Sequence, residues 1–198
     1  MIVAVSEGQY DAAADGITIT EERAETVAFS DGYIKIEQRL LVRADEDRFS
    51  EPEEFAADES LLMGSQPGTT NFATAVEQIF DGDENTPRLL AFETFPITVE
   101  ALLSGEVDAV LMDETAGQGY VVVNAGELKV VGKSLSSDEL GFIFPLESDL
   151  VGPVNFALAE MVSSGFMDEL AERFFTEQFV ITVDEICQGA YAGAEDEC

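Results

Sequence analysis

The run Val107-Asp108-Ala109-Val110-Leu111-Met112-Asp113 limits what this chain can fold into more than any other segment. It is an almost continuous apolar stretch bounded by charge, which reads as a strand covered on both faces, and such a strand requires packed helices above and below it. The flanking sequence supplies them. Phe95–Ser104 carries Phe95, Val99, Leu102 and Leu103 on one face and stops at Gly105, a residue suited to the left-handed C′ position. Leu61–Ser65 reads as a strand that passes through Gln66-Pro67-Gly68-Thr69-Thr70 into a helix bearing Phe72, Val76, Ile79 and Phe80 at helical spacing.

The same alternation continues in both directions. Ala12–Ile19 reads as a strand entering a helix capped by Thr20, with Glu21 and Glu22 placed to suit the helix dipole. Tyr33–Arg43 reads as a long strand, Asp45–Ser60 as a connector with a short helix, and Arg88–Phe92 as a strand. Further on, Ala116–Val123 reads as a helix and Leu128–Gly132 and Leu140–Pro145 as two strands. Two closing helices follow, one from Pro153 at N1 to Ser163 and one from Met167 to Phe175. Strands alternating with helices predict an α/β protein with parallel-type sheets.

Charge narrows the partners. Forty-one acidic against nine basic residues give a formal net charge of −32, with no histidine. Such a surface repels nucleic-acid phosphates and anionic lipid heads, so neither nucleic acid nor a membrane surface is expected as a partner. The acids are scattered and form no calcium loop; Asp81-Gly82-Asp83-Glu84-Asn85 comes nearest and reads as a turn. They read instead as a solvated coat, which a saline environment would screen. No metal or cofactor is expected. No stretch approaches the roughly 20 apolar residues of a membrane helix. Cys187 and Cys198 either pair in the tail or remain two thiols. The first 22 residues contain no lysine or arginine, and Ile2–Val5 is too short for a signal h-region, so no secretory signal is expected there.

Three segments carry candidate chemistry. Arg23 follows the Thr20 cap, and its planar fork matches a carboxylate; the alternative is a surface pair with Glu22 or Glu25. Gly68-Thr69-Thr70 lies where a strand meets a helix, so free N–H groups can receive an anion, or Thr70 serves only as a cap. Asp113 ends a buried strand, where ligands of open α/β sheets bind, or it caps the next helix. Phe92, Phe95 and Tyr120 either wall a cleft or, as aromatic residues at such spacing usually do, fill the core. There is no histidine, no nucleophile beside a base and no phosphate loop, so an enzyme is not expected.

Six motifs in order resemble the bacterial extracellular solute-binding proteins of family 3, the polar amino-acid receptors of ABC importers. They include Tyr10-Asp11-Ala12, Thr18-Ile19-Thr20-Glu21-Glu22-Arg23-Ala24, Phe29-Ser30-Asp31-Gly32-Tyr33, Gln38-Arg39-Leu40-Leu41-Val42-Arg43, Gly68-Thr69-Thr70 and Gly105-Glu106-Val107-Asp108-Ala109-Val110. The resemblance implies a type 2 periplasmic-binding fold of two lobes joined by two hinge strands, Tyr33–Arg43 and Leu140–Pro145. Residues 1–43 and 138–198 would form lobe 1 with a tail, and residues 44–137 lobe 2. The opening portion of lobe 1 has no counterpart here, so either the start lies upstream or the chain is a truncated copy, and lobe 1 is expected to be weakly formed.

The resemblance further implies an extracellular or periplasmic monomer that binds an amino acid and delivers it to an ABC permease. A sensor module and a dehydratase- or lyase-type enzyme are the other functions seen on this fold. By resemblance, Arg23 holds the ligand α-carboxylate, aided by Gly68 and Thr70; Gly16 and Thr18 contact the ligand; and Asp113 accepts its α-ammonium. Asp108 is structural. Asp15 stands where the family usually has a small residue; reading a cationic side chain is one alternative for it, and it is left out of the expected site.

Overall fold

The computed structural model describes residues 1–174. Cys187, Cys198 and Phe175 lie outside the described residues. In chain order the elements are α1 (Ile2–Ser6), β1 (Ala13–Thr18), α2 (Glu21–Ala24), β2 (Ala28–Phe29), β3 (Ile34–Arg43), α3 (Pro52–Ala57), β4 (Met63–Ser65) and α4 (Thr70–Gln78). They continue with β5 (Leu89–Ala91), α5 (Phe95–Ser104), β6 (Ala109–Asp113), α6 (Glu114–Val123), β7 (Leu128–Phe144), α7 (Val151–Ser163) and α8 (Phe166–Phe174).

The strands form one mixed sheet in the order β1-β7-β3-β6-β4-β5, with β2 also paired to β7. The α/β class holds, and parallel pairing is confined to β5-β4-β6. The long strands β3 and β7 run antiparallel to each other and to their neighbours. They join the two ends of the sheet. The N-terminal half of β3 pairs with β7 from Leu140 to Ser136, while its C-terminal half pairs with β6 and with the start of β7.

Leu128–Gly132 and Leu140–Pro145, expected as separate strands, belong to a single 17-residue strand. What separates them in sequence is a bulge. Gln38 faces Ser136 and Leu40 faces Val131, so β7 takes five residues over a step that β3 covers in two. Gly132, at φ 78, turns the chain out there, and Arg39 Nε donates to its carbonyl at 2.8 Å. The polar residues of the bulge hide the strand from any test based on apolar periodicity.

The apolar run behaves as its composition requires. Ala109, Val110, Leu111 and Met112 are all buried, and alternate residues serve opposite faces. Ala109 and Leu111 join Leu40, Val42, Phe55 and Met63 under α4. Val110 and Met112 join Leu41, Val99 and Leu102 under α5. Each fully buried aliphatic side chain contributes about 1.5–3 kcal/mol, so these two clusters dominate the stability. A third cluster, Val5, Ile17, Val27 and Ile143, is far smaller. On the same side of the molecule α7 buries only Leu158 and leaves Phe156 and Val162 in solvent.

Local signals set the helix ends. Thr20, Thr69 and Thr94 each accept a backbone N–H three residues on, and Gly105 closes α5 at φ 78. Pro153 sits in the first turn of α7, which begins two residues earlier, at Val151, where a missing N–H costs nothing.

Candidate functional site

A cleft of about 400 Å³ opens between β1 and α2 on one side and the start of α4 with the end of β6 on the other. All six residues singled out in the sequence, Gly16, Thr18, Arg23, Gly68, Thr70 and Asp113, line it.

Arg23 is the third residue of α2, and the Thr20 cap orients that short helix. Its guanidinium donates through Nη1 to the carbonyl of Thr18 at 2.9 Å and through Nη2 to the carbonyl of Gly68 at 3.4 Å. Burial lowers the guanidinium from its usual pKa, while the Glu22 and Asp113 carboxylates act in the opposite direction. Among the described residues no salt bridge joins Arg23 to Glu22, Glu25 or any other carboxylate. Two neutral carbonyls hold the fork in place without cancelling its charge.

Gly68 adopts φ 80, a left-handed conformation that favours glycine, and so brings its carbonyl to Arg23 and aims α4 at the cleft. The cap of α4 is Thr69, not Thr70. Thr69 Oγ1 accepts from Phe72 N at 3.1 Å and donates to the Gln66 carbonyl. Thr70 is therefore released from capping. Its hydroxyl lies 3.2 Å from that of Thr18 and accepts from Gln38 Nε2 at 3.2 Å.

Asp113 stands at the N-cap position of α6, yet its side chain makes no capping bond. Instead one carboxylate oxygen accepts from Asn71 Nδ2 at 3.0 Å. Burial raises its pKa, the nearby Asp138 adds to that, and Asn71 and Arg23 oppose it. Asp113 has no salt-bridge partner among the described residues. Asp108, by contrast, pairs with Arg43 and Arg48 and accepts from the backbone of Leu62, a structural role.

Asn71 and Gln38 escaped the sequence reading. Gln38 is fully buried, and it faces Asp113 across the β3–β6 ladder. Its amide donates to Thr70 and, at 3.3 Å, to Asp138. A signal existed: Gln38 is the one polar residue in the inward series Ile36, Gln38, Leu40, Val42. Asn71 left only its position, one residue beyond Thr70. Phe95 lines the cleft, whereas Phe92 and Tyr120 pack against the second core.

The cleft thus presents a guanidinium, a partly buried carboxylate, two hydroxyls and the open N-terminus of a nine-residue helix. That arrangement can hold a small molecule carrying both charges.

Comparison with known proteins gives the relatives of this chain. The model of the bacterial extracellular solute-binding proteins, family 3, matches residues 1–177. The glutamate-binding protein GluB of Corynebacterium efficiens is 31% identical, over 87% of this chain and 57% of that protein. The ABC transporter glutamine-binding protein GlnH of Bacillus subtilis is 29% identical, over 87% and 60%. Among solved structures, the arginine-, lysine-, histidine-binding protein ArtJ of Geobacillus stearothermophilus matches with a TM-score of 0.77 at 27% identity, covering 94% of this chain and 78% of that one. An ancestral arginine-binding protein bound to arginine matches with a TM-score of 0.76 at 31% identity, covering 88% and 76%. The chain spans about three fifths of the length of the curated relatives it matches.

Proposed function

The chain belongs to the bacterial extracellular solute-binding proteins of family 3, and from that membership we propose that its cleft binds a free amino acid for delivery to an ABC importer outside the cytoplasm. The observation that carries the reading is the pair Arg23 and Asp113. They line one cleft, feel each other's charge, and hold only neutral hydrogen-bond partners among the described residues.

In this reading the α-carboxylate lies against the Arg23 fork and the N-terminus of α4, where charge-assisted hydrogen bonds and the helix dipole act together. The α-ammonium meets Asp113, and the Thr18 and Thr70 hydroxyls fill the remaining hydrogen-bond positions. Gly16 and Gly68 let the ligand approach the backbone. The role is binding without catalysis, by a monomer. In this reading the described residues 1–43 and 138–174 belong to an incomplete lobe 1, and 44–137 to lobe 2. Because β3 and β7 pass between them, a small change in strand twist would open and close the cleft.

Isothermal titration against the common L-amino acids tests the proposal. At least one should bind, and Arg23→Met should weaken it at least a hundredfold, since a charge-assisted bidentate contact contributes about 3 kcal/mol or more. Unchanged affinity in that variant would refute the assignment.

A further inference from the structure

The cleft holds one more charged side chain than a zwitterion needs. Its charged side chains are Arg23, Asp113 and Asp15. An α-amino acid would satisfy the first two and leave Asp15 over. Asp15 lies on β1 beside Gly16, is exposed, and makes no side-chain hydrogen bond or salt bridge among the described residues. Its charge reaches across β7: after burial, the Asp15 carboxylate is what holds the Tyr33 hydroxyl above its usual pKa. Neither the fold nor its core requires a carboxylate there. Ile17, two residues on, supplies the packing of that strand.

Resting on the reading of the cleft as an amino-acid site, we propose that Asp15 selects ligands with a cationic side chain, L-arginine or L-lysine, over neutral and acidic ones. Two further features agree. The cleft also offers apolar surface, with Ile17 and Phe95 in its lining, against which the methylene stem of a lysine or arginine can lie while its head stays polar. The molecule around it carries a net charge of −32, which draws cations toward the cleft and repels a glutamate side chain.

The test is titration of the whole protein with L-arginine, L-lysine, L-glutamine and L-glutamate, repeated with Asp15→Asn. Arginine or lysine should bind at least tenfold more tightly than glutamine, and glutamate most weakly. In Asp15→Asn the ratio of arginine to glutamine affinity should fall at least fivefold. The residue is exposed and unbonded, so the variant is expected to fold as the parent does, and circular dichroism checks this. Binding of glutamine or glutamate as tight as that of the cations, or an unchanged ratio in Asp15→Asn, overturns the selectivity while leaving the amino-acid site standing. Silence toward all four and toward every other amino acid overturns both.

Discussion

At the scale of single residues, the site is built from groups denied their usual local partners. Thr70 is freed because Thr69 takes the cap, and Asp113 occupies a cap position without capping. The cost falls on Asp113, whose carboxylate is partly buried and whose pKa is raised first by that burial. The folded state therefore holds this proton more tightly than the unfolded chain. Its contribution to stability falls as pH rises from the ordinary carboxylate value, about 3.9, through the raised one, and stays low at neutral pH. Asp113→Asn keeps an acceptor for Asn71 and removes the charge. It should raise the ligand-free unfolding midpoint at pH 7 by about 2–4 °C, the shift expected for roughly 1 kcal/mol in a domain of this size. The gain should vanish near pH 3, and amino-acid affinity should drop steeply. A midpoint lowered at pH 7 would count against the buried charge as a source of instability. Arg23 and Asp113 were legible in the sequence because a charged residue followed an apolar segment, whereas Thr18 came only from the family resemblance. Gln38 was not, because a buried amide in a strand looks like a gap in the pattern until its partners, Thr70 and Asp138, come from distant parts of the chain.

At the scale of elements, close packing around the parallel strands β5-β4-β6 places the cleft. Strand β4 meets α5 so tightly that a Cβ on Gly64 would lie 2.7 Å from Thr98 Cγ2. Gly64→Val should destabilise the protein by about 1–3 kcal/mol through overpacking, measured by urea unfolding. Thr98→Ser should recover part of the loss, because it removes the obstructing methyl. No recovery in the double variant would mean that the damage arises elsewhere, for example at Phe92, whose ring is the next nearest group. Helices α4 and α5 and strand β6 could be read from apolar spacing and caps alone, since both their faces obey one period. Strand β7 could not: Lys133 to Glu139 is polar but for Leu135, and only its second part, Ser136 to Glu139, pairs with β3.

At the scale of the whole molecule, two asymmetries stand out. Charge is the first: four basic residues, Arg39, Arg43, Arg48 and Lys133, form the salt bridges among the described residues, and the chain as a whole has only nine basic residues against 41 acids. Their mutual repulsion weakens as the screening length shrinks from about 30 Å at 0.01 M salt to about 3 Å at 1 M. The unfolding midpoint should therefore climb by several degrees across that range of sodium chloride, and a flat profile would mean that the acids already lie too far apart to interact. Packing is the second, with two large clusters in the β5-β4-β6 half and a small one beside β1, where α7 leaves Phe156 and Val162 in solvent. The connectivity of β7 adds an order in time. Strands β1 and β3 are made early, yet Ala13 finds its partner in Ile143 and Ile34 in Leu140. At ribosomal speeds of about 5–20 residues per second, those edges wait roughly 5–20 s while about a hundred further residues are synthesised. During translation the nascent chain must keep two half-built strands from pairing with the wrong neighbour, and its dense negative charge is a ready means of doing so.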